Sequence, residues 1–234
     1  MNAMILAAGR GTRLGSVGRN IPKVLVPIGG RPLLARQLEY MAREGFSRVV
    51  VNAHHLAEQI LSFVESYRGP LDVSCVVEDE LLGTSGGVRN ALPVIGGGSF
   101  LVLYGDVIID EPLTPLWQAH RRHGAMATLV LHEAQSAEGK GVVRIDPSGR
   151  VTRFEEKTHR GSGPVLINSG VYVIEPELVA SLPAGTASDF GEDVFPAALE
   201  QELTIFGHRI PKPVIDIGTP EGLAQAHVAI GDQP

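Results

Sequence analysis

The sequence predicts an α/β protein in which a mostly parallel sheet carries helices on both faces. Apolar runs of strand length alternate with amphipathic stretches of helix length up to about residue 124. That β-α-β-α order is typical of a parallel sheet. The strands are almost continuously apolar rather than alternating, which indicates that both of their faces are buried.

The first half of the chain supplies four strands and four helices. Strands are predicted at 3–8, 48–53, 71–77 and 99–106, in the runs AMILAA, RVVVNA, LDVSCVV and SFLVLYGD. Helices are predicted at 32–44, 55–67, 85–92 and 114–123, where apolar residues recur at helical spacing. The first helix is expected to end at Gly45 and the second before Gly69 and Pro70, because these residues interrupt helices.

The second half of the chain is richer in strands. They are predicted at 127–133, 141–146, 150–156, 165–174 and 202–209, and the turn PSGR at 147–150 is typical of a hairpin. Helices are predicted at 192–201 and 220–230. Without repeats or a long linker, we expect one domain over 1–234, in which a mixed-strand insertion caps part of the sheet.

Composition narrows the class of protein. The chain has 234 residues, of which 44% are hydrophobic and 20% charged, as in an ordinary globular domain. Because the net charge is −6, we expect no nucleic-acid partner. With no apolar stretch of about 18 residues and no signal-peptide pattern, we expect no membrane span and a cytoplasmic location. The single Cys75, in an apolar run, is expected to be buried packing.

The segment AAGRGTRLG at 7–15 has the composition of a phosphate-binding loop. Gly9 and Gly11 follow a strand, and exposed backbone N–H groups in such a loop can point at phosphate oxygens. It lacks the GK[ST] of a Walker loop, and no acid follows the second strand as a dinucleotide fingerprint requires. A tight strand-to-helix turn with solvated cations remains the alternative on the loop alone.

Two cations accompany this loop. Arg13 carries a planar guanidinium suited to phosphate, and Lys23 is held between Pro22 and an apolar run. The β- and γ-phosphates of a nucleoside triphosphate would use both charges. Eight histidines are scattered without H-x-x-x-H spacing, so we expect no zinc site.

Six segments together resemble the sugar nucleotidyltransferases, also called nucleotide-sugar pyrophosphorylases. The first is MILAAGRGTRL at 4–14 with PKVLVPIGGRPLL at 22–34. The others, in family order, are EDELLGTSGGV at 78–88, LVLYGDVI at 101–108, FEEK at 154–157, INSGVYVI at 167–174 and VIDIGTPEGLAQA at 214–226. The resemblance implies a Rossmann-like, GT-A-like nucleotidyltransferase fold, with a nucleotide-binding part at about 1–124 and a sugar-phosphate-binding part at about 125–234.

The resemblance also implies an activity and a set of site residues. A sugar 1-phosphate would attack a nucleoside triphosphate and release pyrophosphate, with Mg²⁺ as cofactor. The residues expected to bind the nucleotide are Leu6, Ala7, Ala8, Gly9, Gly11, Thr12, Arg13, Lys23, Glu78, Gly83 and Thr84. Those expected to bind the sugar phosphate are Gly141, Glu156, Lys157 and Asn168. The expected catalytic residues are Arg13, Lys23, Asp106, Lys157 and Asp216.

The chemistry of the metal ligands supports the resemblance. Asp106 and Asp216 each end an apolar stretch next to a glycine, and Mg²⁺ favours one or two carboxylates completed by phosphates and water. Taken singly, either aspartate could equally cap a turn, and Lys157 could be an exposed ion-pair lysine. Because their functional roles depend on the family pattern, these residues are candidates as a set.

The preferred nucleotide and sugar depend on weaker signals. The carboxylate of Glu78 could accept two hydrogen bonds from guanine or one from uracil, which favours GTP and then UTP. RLGSVGRNIPK and VEDELLGTSGG resemble bacterial heptose 1-phosphate guanylyltransferases, with muramic-acid-type uridylyltransferases as the nearest rival. Tyr104 and Val24 depart from the common pattern, so the sugar, or a cyclitol in its place, stays open.

Other classes of function stay open beside the enzyme. A nucleotidyltransferase fold that only senses sugar nucleotides is the alternative of a different class, although it could dispense with Asp106 and Asp216. No hexapeptide repeats are present, so a second, acetyltransferase activity is not expected. A homodimer is compatible with the sequence, which carries no specific signal for it.

Overall fold

The computed structural model describes residues 1–137, 140–156 and 163–231. In chain order its elements are β1 (Asn2–Leu6), α1 (Ser16–Asn20), β2 (Pro27–Ile28), β3 (Arg31–Pro32), α2 (Leu33–Arg43), β4 (Arg48–Ala53), α3 (Ala57–Ser66), β5 (Asp72–Val77), α4 (Gly83–Ile95), β6 (Phe100–Tyr104), β7 (Val107–Ile108), α5 (Thr114–His123), β8 (Ala127–Ala134), β9 (Val142–Ile145), β10 (Val151–Glu155), β11 (Val165–Ile174), α6 (Glu177–Ala180), α7 (Phe195–Glu200), β12 (Ile205–Arg209), β13 (Ile215–Asp216) and α8 (Pro220–Ile230).

One mixed sheet of nine strands organises the described part of the chain. Its main path is β10-β9-β11-β6-β1-β4-β5, and β8 pairs with β11 and with β12. β1, β4, β5 and β6 are parallel, whereas β11 joins β6 in the antiparallel direction. The expected α/β class, with a mostly parallel sheet and flanking helices, is confirmed. After residue 124, β8 to β12 extend this same sheet, and β9 and β10 form the expected hairpin.

The third predicted strand was expected to be buried on both faces, but the structure exposes part of it. β5 pairs with β4 alone and is an edge strand, so most of its residues are only partly covered. Cys75 is therefore half-buried and packs against the edge of one core cluster, and burial raises the pKa of its thiol to about 11. A continuous apolar run does not distinguish a central strand from an edge strand.

The predicted and observed helix boundaries agree best where apolar residues recur at a regular spacing. The helices over 114–123 and 220–230 have the predicted ends, and α8 is capped by Thr219, whose side chain accepts from Gly222 N at 3.1 Å. α4 is longer than the predicted 85–92 at both ends, since it begins at Gly83, which takes the left-handed φ of +72°, and ends at Ile95. The predicted helix 192–201 begins as a π-helical turn, Phe190–Val194, and continues as α7.

The core lies on both faces of the sheet. One cluster packs α2, α3 and α5 against it and includes Leu38, Ile60 and Trp117. The other packs α4, α6 and α7 and includes Val88 and Phe195. A smaller third cluster joins the loop after β1 to α8 through a set of apolar side chains that includes Leu14, Ile28, Ile217 and Ala226. That third cluster anchors the segments that carry the candidate site.

No helix in the described ranges has both the length and the apolar character that crossing a membrane requires.

Candidate functional site

The candidate site lies at the carboxyl ends of the parallel strands. β1 ends at Leu6 and β6 at Tyr104, and Gly105 N donates to Leu6 O at 2.9 Å. A side chain at Gly105 would place its Cβ 2.5 Å from Leu6 O, so only glycine allows the two strand ends to approach this closely. This is the edge at which open α/β sheets bind ligands.

The glycine loop after β1 folds back on itself. Gly11 has a φ of +66°, and a Cβ at Gly18 would lie 2.1 Å from Gly11 O. Two side chains of the segment around α3 hold the returning chain: His55 Nε2 lies 3.1 Å from Gly18 O, and Gln59 donates to Asn20 O at 3.1 Å. The loop is therefore fixed at its far end while Gly9 and Arg13 line a cleft.

Four charged side chains meet between two adjoining clefts. Lys23 Nζ lies 3.0 Å from Asp106 Oδ2, in a pair whose side chains are only 16% and 19% exposed. An ideal Cβ on Gly218 would lie 2.8 Å from Arg13 Nη2, 2.8 Å from Asp216 Oδ1 and 3.1 Å from Asp106 Oδ2. Arg13, Asp106 and Asp216 thus converge on one point, and the absence of a side chain at Gly218 leaves room there.

Short elements that carry little sequence signal bring the two aspartates together. β7 and β13 form a two-stranded antiparallel ladder in which Asp216 pairs with Val107, and Ile217 N donates to Asp106 O at 2.8 Å. Gln37 on α2, 4% exposed, donates to the carbonyl oxygens of Tyr104, Gly105 and Val107. These bonds fix the backbone on both sides of Asp106.

The acidic pair suits a hard divalent cation. In the described ranges no group of three or more His, Cys, Asp or Glu side chains is arranged to hold a metal ion. Asp106 and Asp216 offer two carboxylates at one point, a number that Mg²⁺ uses when phosphates and water complete its octahedron. The residues present therefore fit Mg²⁺ bound jointly by protein and substrate.

The first cleft, which we call the nucleotide cleft, is lined by Leu6, Ala7, Ala8, Gly9, Arg13, Lys23, Val24, Asn52, Leu81, Gly83, Thr84, Tyr104, Gly105, Asp106 and Asp189. Eight of the eleven residues expected to bind the nucleotide lie on this wall. Gly11, Thr12 and Glu78 do not line it, and Glu78 is buried. That these residues bind a nucleotide stays a prediction.

Glu78 belongs to a buried hydrogen-bond network. Its side chain is 3% exposed, accepts from Asn52 Nδ2 at 2.6 Å and from Leu82 N at 3.1 Å. Asn52 Oδ1 in turn accepts from Ala7 N at 2.7 Å. Glu78 therefore ties the start of the glycine loop to the start of α4, and a contact with a base would have to be added to these bonds.

The second cleft, which we call the sugar cleft, opens on the other side of Asp106. Gly141, Glu156 and Asn168 line it together with His132, Lys140, Ser169 and Glu192. Glu156 lies between two glycines, because an ideal Cβ on Gly141 or on Gly191 would be 2.5 Å from its Oε2. Three of the four expected sugar-phosphate residues are thus together, and Lys157 lies outside the described residues.

Two residues that were not among the expected site residues stand between the clefts. Asp189 and Tyr104 line both clefts. Asp189 Oδ1 accepts from Thr84 N at 3.1 Å and from Thr84 Oγ1 at 2.9 Å, so the chain's own carboxylate occupies the N-terminus of α4. Burial raises the pKa of Tyr104 to about 12, so its hydroxyl stays protonated. No regular spacing in the sequence distinguishes either residue.

The chain belongs to the nucleotidyl transferase family, which it matches over residues 2–233. This confirms the family expected from the motifs. A UTP–glucose-1-phosphate uridylyltransferase of Synechocystis sp. is 34% identical over 93% of this chain and 60% of its own length. A probable mannose-1-phosphate guanylyltransferase of Oryza sativa subsp. japonica is 32% identical over 94% of this chain and 62% of its own length. The chain thus spans about three fifths of these relatives.

Solved structures share the fold. HddC from Yersinia pseudotuberculosis, complexed with GMP-PN, has a TM-score of 0.85 and 28% identity, covering 98% of this chain and 100% of that one. A putative glucose-1-phosphate thymidylyltransferase from Bacillus anthracis has a TM-score of 0.87 at 19% identity, a likeness of fold alone. HddC matches this chain over its whole length, whereas the longer relatives extend beyond the matched region.

Proposed function

We propose that this chain is a sugar-1-phosphate nucleotidyltransferase. The convergence of Arg13, Asp106 and Asp216 on one point, with Lys23 bonded to Asp106, carries the proposal. This cluster lies where the nucleotide cleft meets the sugar cleft, since Arg13 and Asp106 line both. An arrangement of this kind suits two phosphate-bearing substrates that react with each other.

The reaction needs positioning and charge neutralisation more than acid-base catalysis. A sugar phosphate is already anionic at neutral pH, so its oxygen can form the new bond to the α-phosphorus directly. The bond between the α-phosphorus and the oxygen bridging to the β-phosphorus breaks in line, and pyrophosphate leaves with the electron pair. Arg13 and Lys23 are proposed to stabilise the leaving pyrophosphate, and Lys157 the incoming phosphate.

Asp106 and Asp216 are proposed to hold Mg²⁺. Bound there, the ion would offset negative charge on the phosphates of both substrates. Lys23 would then share Asp106 with the cation, which keeps the lysine directed at the phosphates. Glu156 and Asn168 are proposed to bind hydroxyl groups of the sugar, because carboxylate and amide groups suit such partners.

GTP is the proposed nucleotide, with UTP as the alternative. The match to HddC, described with GMP-PN, and to mannose-1-phosphate guanylyltransferases supports a guanine nucleotide. The uridylyltransferase of Synechocystis supports UTP at similar identity. A heptose 1-phosphate or a related cyclitol phosphate is the proposed acceptor, since the heptose-type resemblance of the glycine-loop and Glu78 segments favours it.

The direct test is pyrophosphate release. The protein is incubated with MgCl₂, each of the common nucleoside triphosphates, and a panel of hexose, heptose and cyclitol phosphates. We expect release that requires both substrates and is fastest with GTP. Absence of release with every pair, from protein whose melting curve is cooperative, would refute the enzyme and favour the sensor. A faster reaction with UTP would overturn only the choice of nucleotide.

Removal of the first metal ligand tests the proposed site. Asp106→Ala is expected to lower kcat at least about 100-fold, because one of two carboxylates for the cation is lost. The affinity for the triphosphate should fall less, since the glycine loop is untouched. Asp110→Ala, at an exposed carboxylate four residues along the chain, is the matched control. Activity of Asp106→Ala close to wild type would remove Asp106 from the metal site.

A further inference from the structure

The sugar cleft contains a histidine that the proposed reaction does not use. His132 lies near the end of β8, opposite Ile167 of β11, and its side chain is only 4% exposed. It lines the sugar cleft with Gly141, Asn168 and Ser169 and is absent from the wall of the nucleotide cleft. A ligand atom in contact with His132 would therefore lie in the sugar cleft.

A local irregularity of the sheet holds the histidine ring. The pairing of β8 and β11 shifts register between Asn168 and Tyr172, where Gly170 takes a φ of +69°. Asn168 stabilises this bulge, since its Oδ1 accepts from Gly170 N at 3.2 Å and its Nδ2 donates to Tyr172 Oη at 2.5 Å. Within the bulge, Ser169 Oγ lies 2.8 Å from His132 Nδ1, which fixes the orientation of the ring.

The ring is neutral under ordinary conditions and has one nitrogen to spare. Burial, assisted by the nearby positive charge of Lys140, lowers the pKa of His132 to about 4. Nδ1 is bonded to Ser169, whereas Nε2 makes no hydrogen bond with a described residue. Among the described residues, Nε2 is neither hydrogen-bonded nor fully buried. It is therefore open to the cleft that His132 lines.

A neutral imidazole suits a hydroxyl group better than it suits an anion. Because the hydroxyl of Ser169 can donate or accept, either tautomer of the ring is allowed, and Nε2 can act as acceptor or donor. A sugar hydroxyl offers both complementary functions. A site built around such a bond rejects an analogue that lacks the hydroxyl, because the buried nitrogen is then left unpaired.

We propose that His132, oriented by Ser169, binds one hydroxyl group of the sugar and thereby helps to determine which sugar 1-phosphates are accepted. This inference rests on the proposed function, because it needs a sugar phosphate in the second cleft. His132 lies outside the motifs FEEK and INSG, which supplied the expected contacts to the sugar phosphate. His132 is a specificity residue in this proposal and takes no part in the bond changes at phosphorus.

The test is a cycle of enzyme and substrate changes. kcat/KM is measured for the best sugar 1-phosphate and for its monodeoxy analogues, with wild type and with His132→Leu. For one deoxy position we expect wild type to lose about 10- to 100-fold, and His132→Leu to lose a similar factor on the parent sugar. The variant should then no longer distinguish the parent from that analogue, while it still discriminates at the other positions.

Matched measurements separate this role from a structural one. KM for the triphosphate is expected to change less than about twofold, since His132 does not line the nucleotide cleft. His132→Gln, whose amide can reach the position of Nε2, should restore part of the lost discrimination. Ser169→Ala should give an intermediate loss at the same deoxy position, because it frees the ring to rotate. If His132→Leu fails to fold, His132→Gln and Ser169→Ala provide the test in its place.

Two results would overturn the proposal. Equal losses by the His132 variants on the parent sugar and on all deoxy analogues would make the residue purely structural. Unaltered kcat/KM of the His132 variants on the parent sugar and on every analogue would remove the residue from the sugar site. Both results require an active wild type, so they differ from absence of pyrophosphate release in wild type, which would refute the proposed function and this inference together.

Discussion

Glu78 shows how one side chain can carry two interpretations. Its position in EDELLGTSGGV suggested contact with the base, whereas the structure surrounds its carboxylate with Asn52 and Leu82 N. A carboxylate has about four acceptor positions, so these two bonds do not exhaust it. The residue nevertheless has a structural duty that the motif did not indicate, because it joins three segments that border the nucleotide cleft.

Replacement of Glu78 by glutamine tests both duties at once. The amide group would present N–H to one of two donors, so we expect a loss of about 1–3 kcal/mol in the free energy of unfolding. If Glu78 also reads the base, the ranking of GTP and UTP in pyrophosphate release should change. Lower stability with an unchanged ranking would assign the residue to the network alone. Glu80→Gln, at an exposed position two residues away, is the control.

His132 makes the stability of the protein sensitive to acid. Its pKa is about 4 in the folded protein, below the ordinary value of 6.5, mainly because the ring is buried. The unfolded chain therefore takes up the proton first as the pH falls. The stability contributed by the neutral ring is complete above pH 6.5 and is lost as the pH falls from 6.5 through 4.

Urea unfolding at several pH values checks this dependence. Wild type should lose more stability between pH 7 and pH 5 than His132→Gln does, because the variant has no ring to protonate. All other ionisable groups are common to both proteins, so their contributions cancel in the comparison. Parallel losses in the two proteins over this range would show that burial of His132 does not govern the acid response.

At the scale of the element, α4 depends on glycines that permit close packing. Gly83, Gly86 and Gly87 all lie in its first turns, facing the loop that carries Ser188 or the Glu78 network. Ser85 N and Gly86 N donate to Ser188 O at 3.0 and 3.1 Å, which satisfies amides that a helix start leaves open. The run GTSGG is thus a packing requirement as well as a motif.

Gly87→Ala is expected to destabilise the protein although alanine favours helices. An added Cβ would lie 2.7 Å from Asn52 Nδ2 and 2.7 Å from Glu78 Oε1, atoms that are bonded to each other and cannot both retreat. We expect a loss of about 1–3 kcal/mol by urea unfolding. The control is Gly97→Ala, where a Cβ meets nothing within 4 Å and the change should be small. Equal effects of the two changes would contradict the packing argument.

The sequence predicted some elements better than others. Long elements with a regular apolar pattern were predicted well, and very short ones were not. α5, α8 and β11 were predicted with their observed ends, because each has a regular apolar pattern between clear breaks. β7 and β13 are two residues long and show no period, yet their pairing places Asp106 beside Asp216. The elements that bring the two proposed metal ligands together are thus the ones that periodicity cannot detect.

At the scale of the whole molecule, the two parts of the chain share one sheet. β11, from the second part, pairs with β6 from the first, and Tyr172, Val173 and Ile174 are fully buried at that junction. The third core cluster also joins α8 to the loop after β1. The boundary near residue 124 therefore divides neither the sheet nor the two clefts, which Tyr104 and Asp189 both line.

A fragment of residues 1–124 is expected not to fold cooperatively. It would expose the apolar face and the free backbone edge of β6, which β11 covers in the intact chain. Thermal unfolding followed by circular dichroism, with the full chain as reference, should show no sharp transition for the fragment. A cooperative transition near that of the full chain would show that the first part is an independent domain.

The sequence by itself determined the fold class and the family, and it supplied the residues proposed for the candidate site. Apolar periodicity and glycine placement are local properties, and the family motifs stand at fixed positions along the chain, so both can be read without a structure. Only the tertiary structure decided that β5 is an edge strand, that Glu78 is bound to Asn52, and that His132 and Asp189 line the clefts. These are relations between residues distant in the chain, which depend on strand order and register rather than on any local pattern.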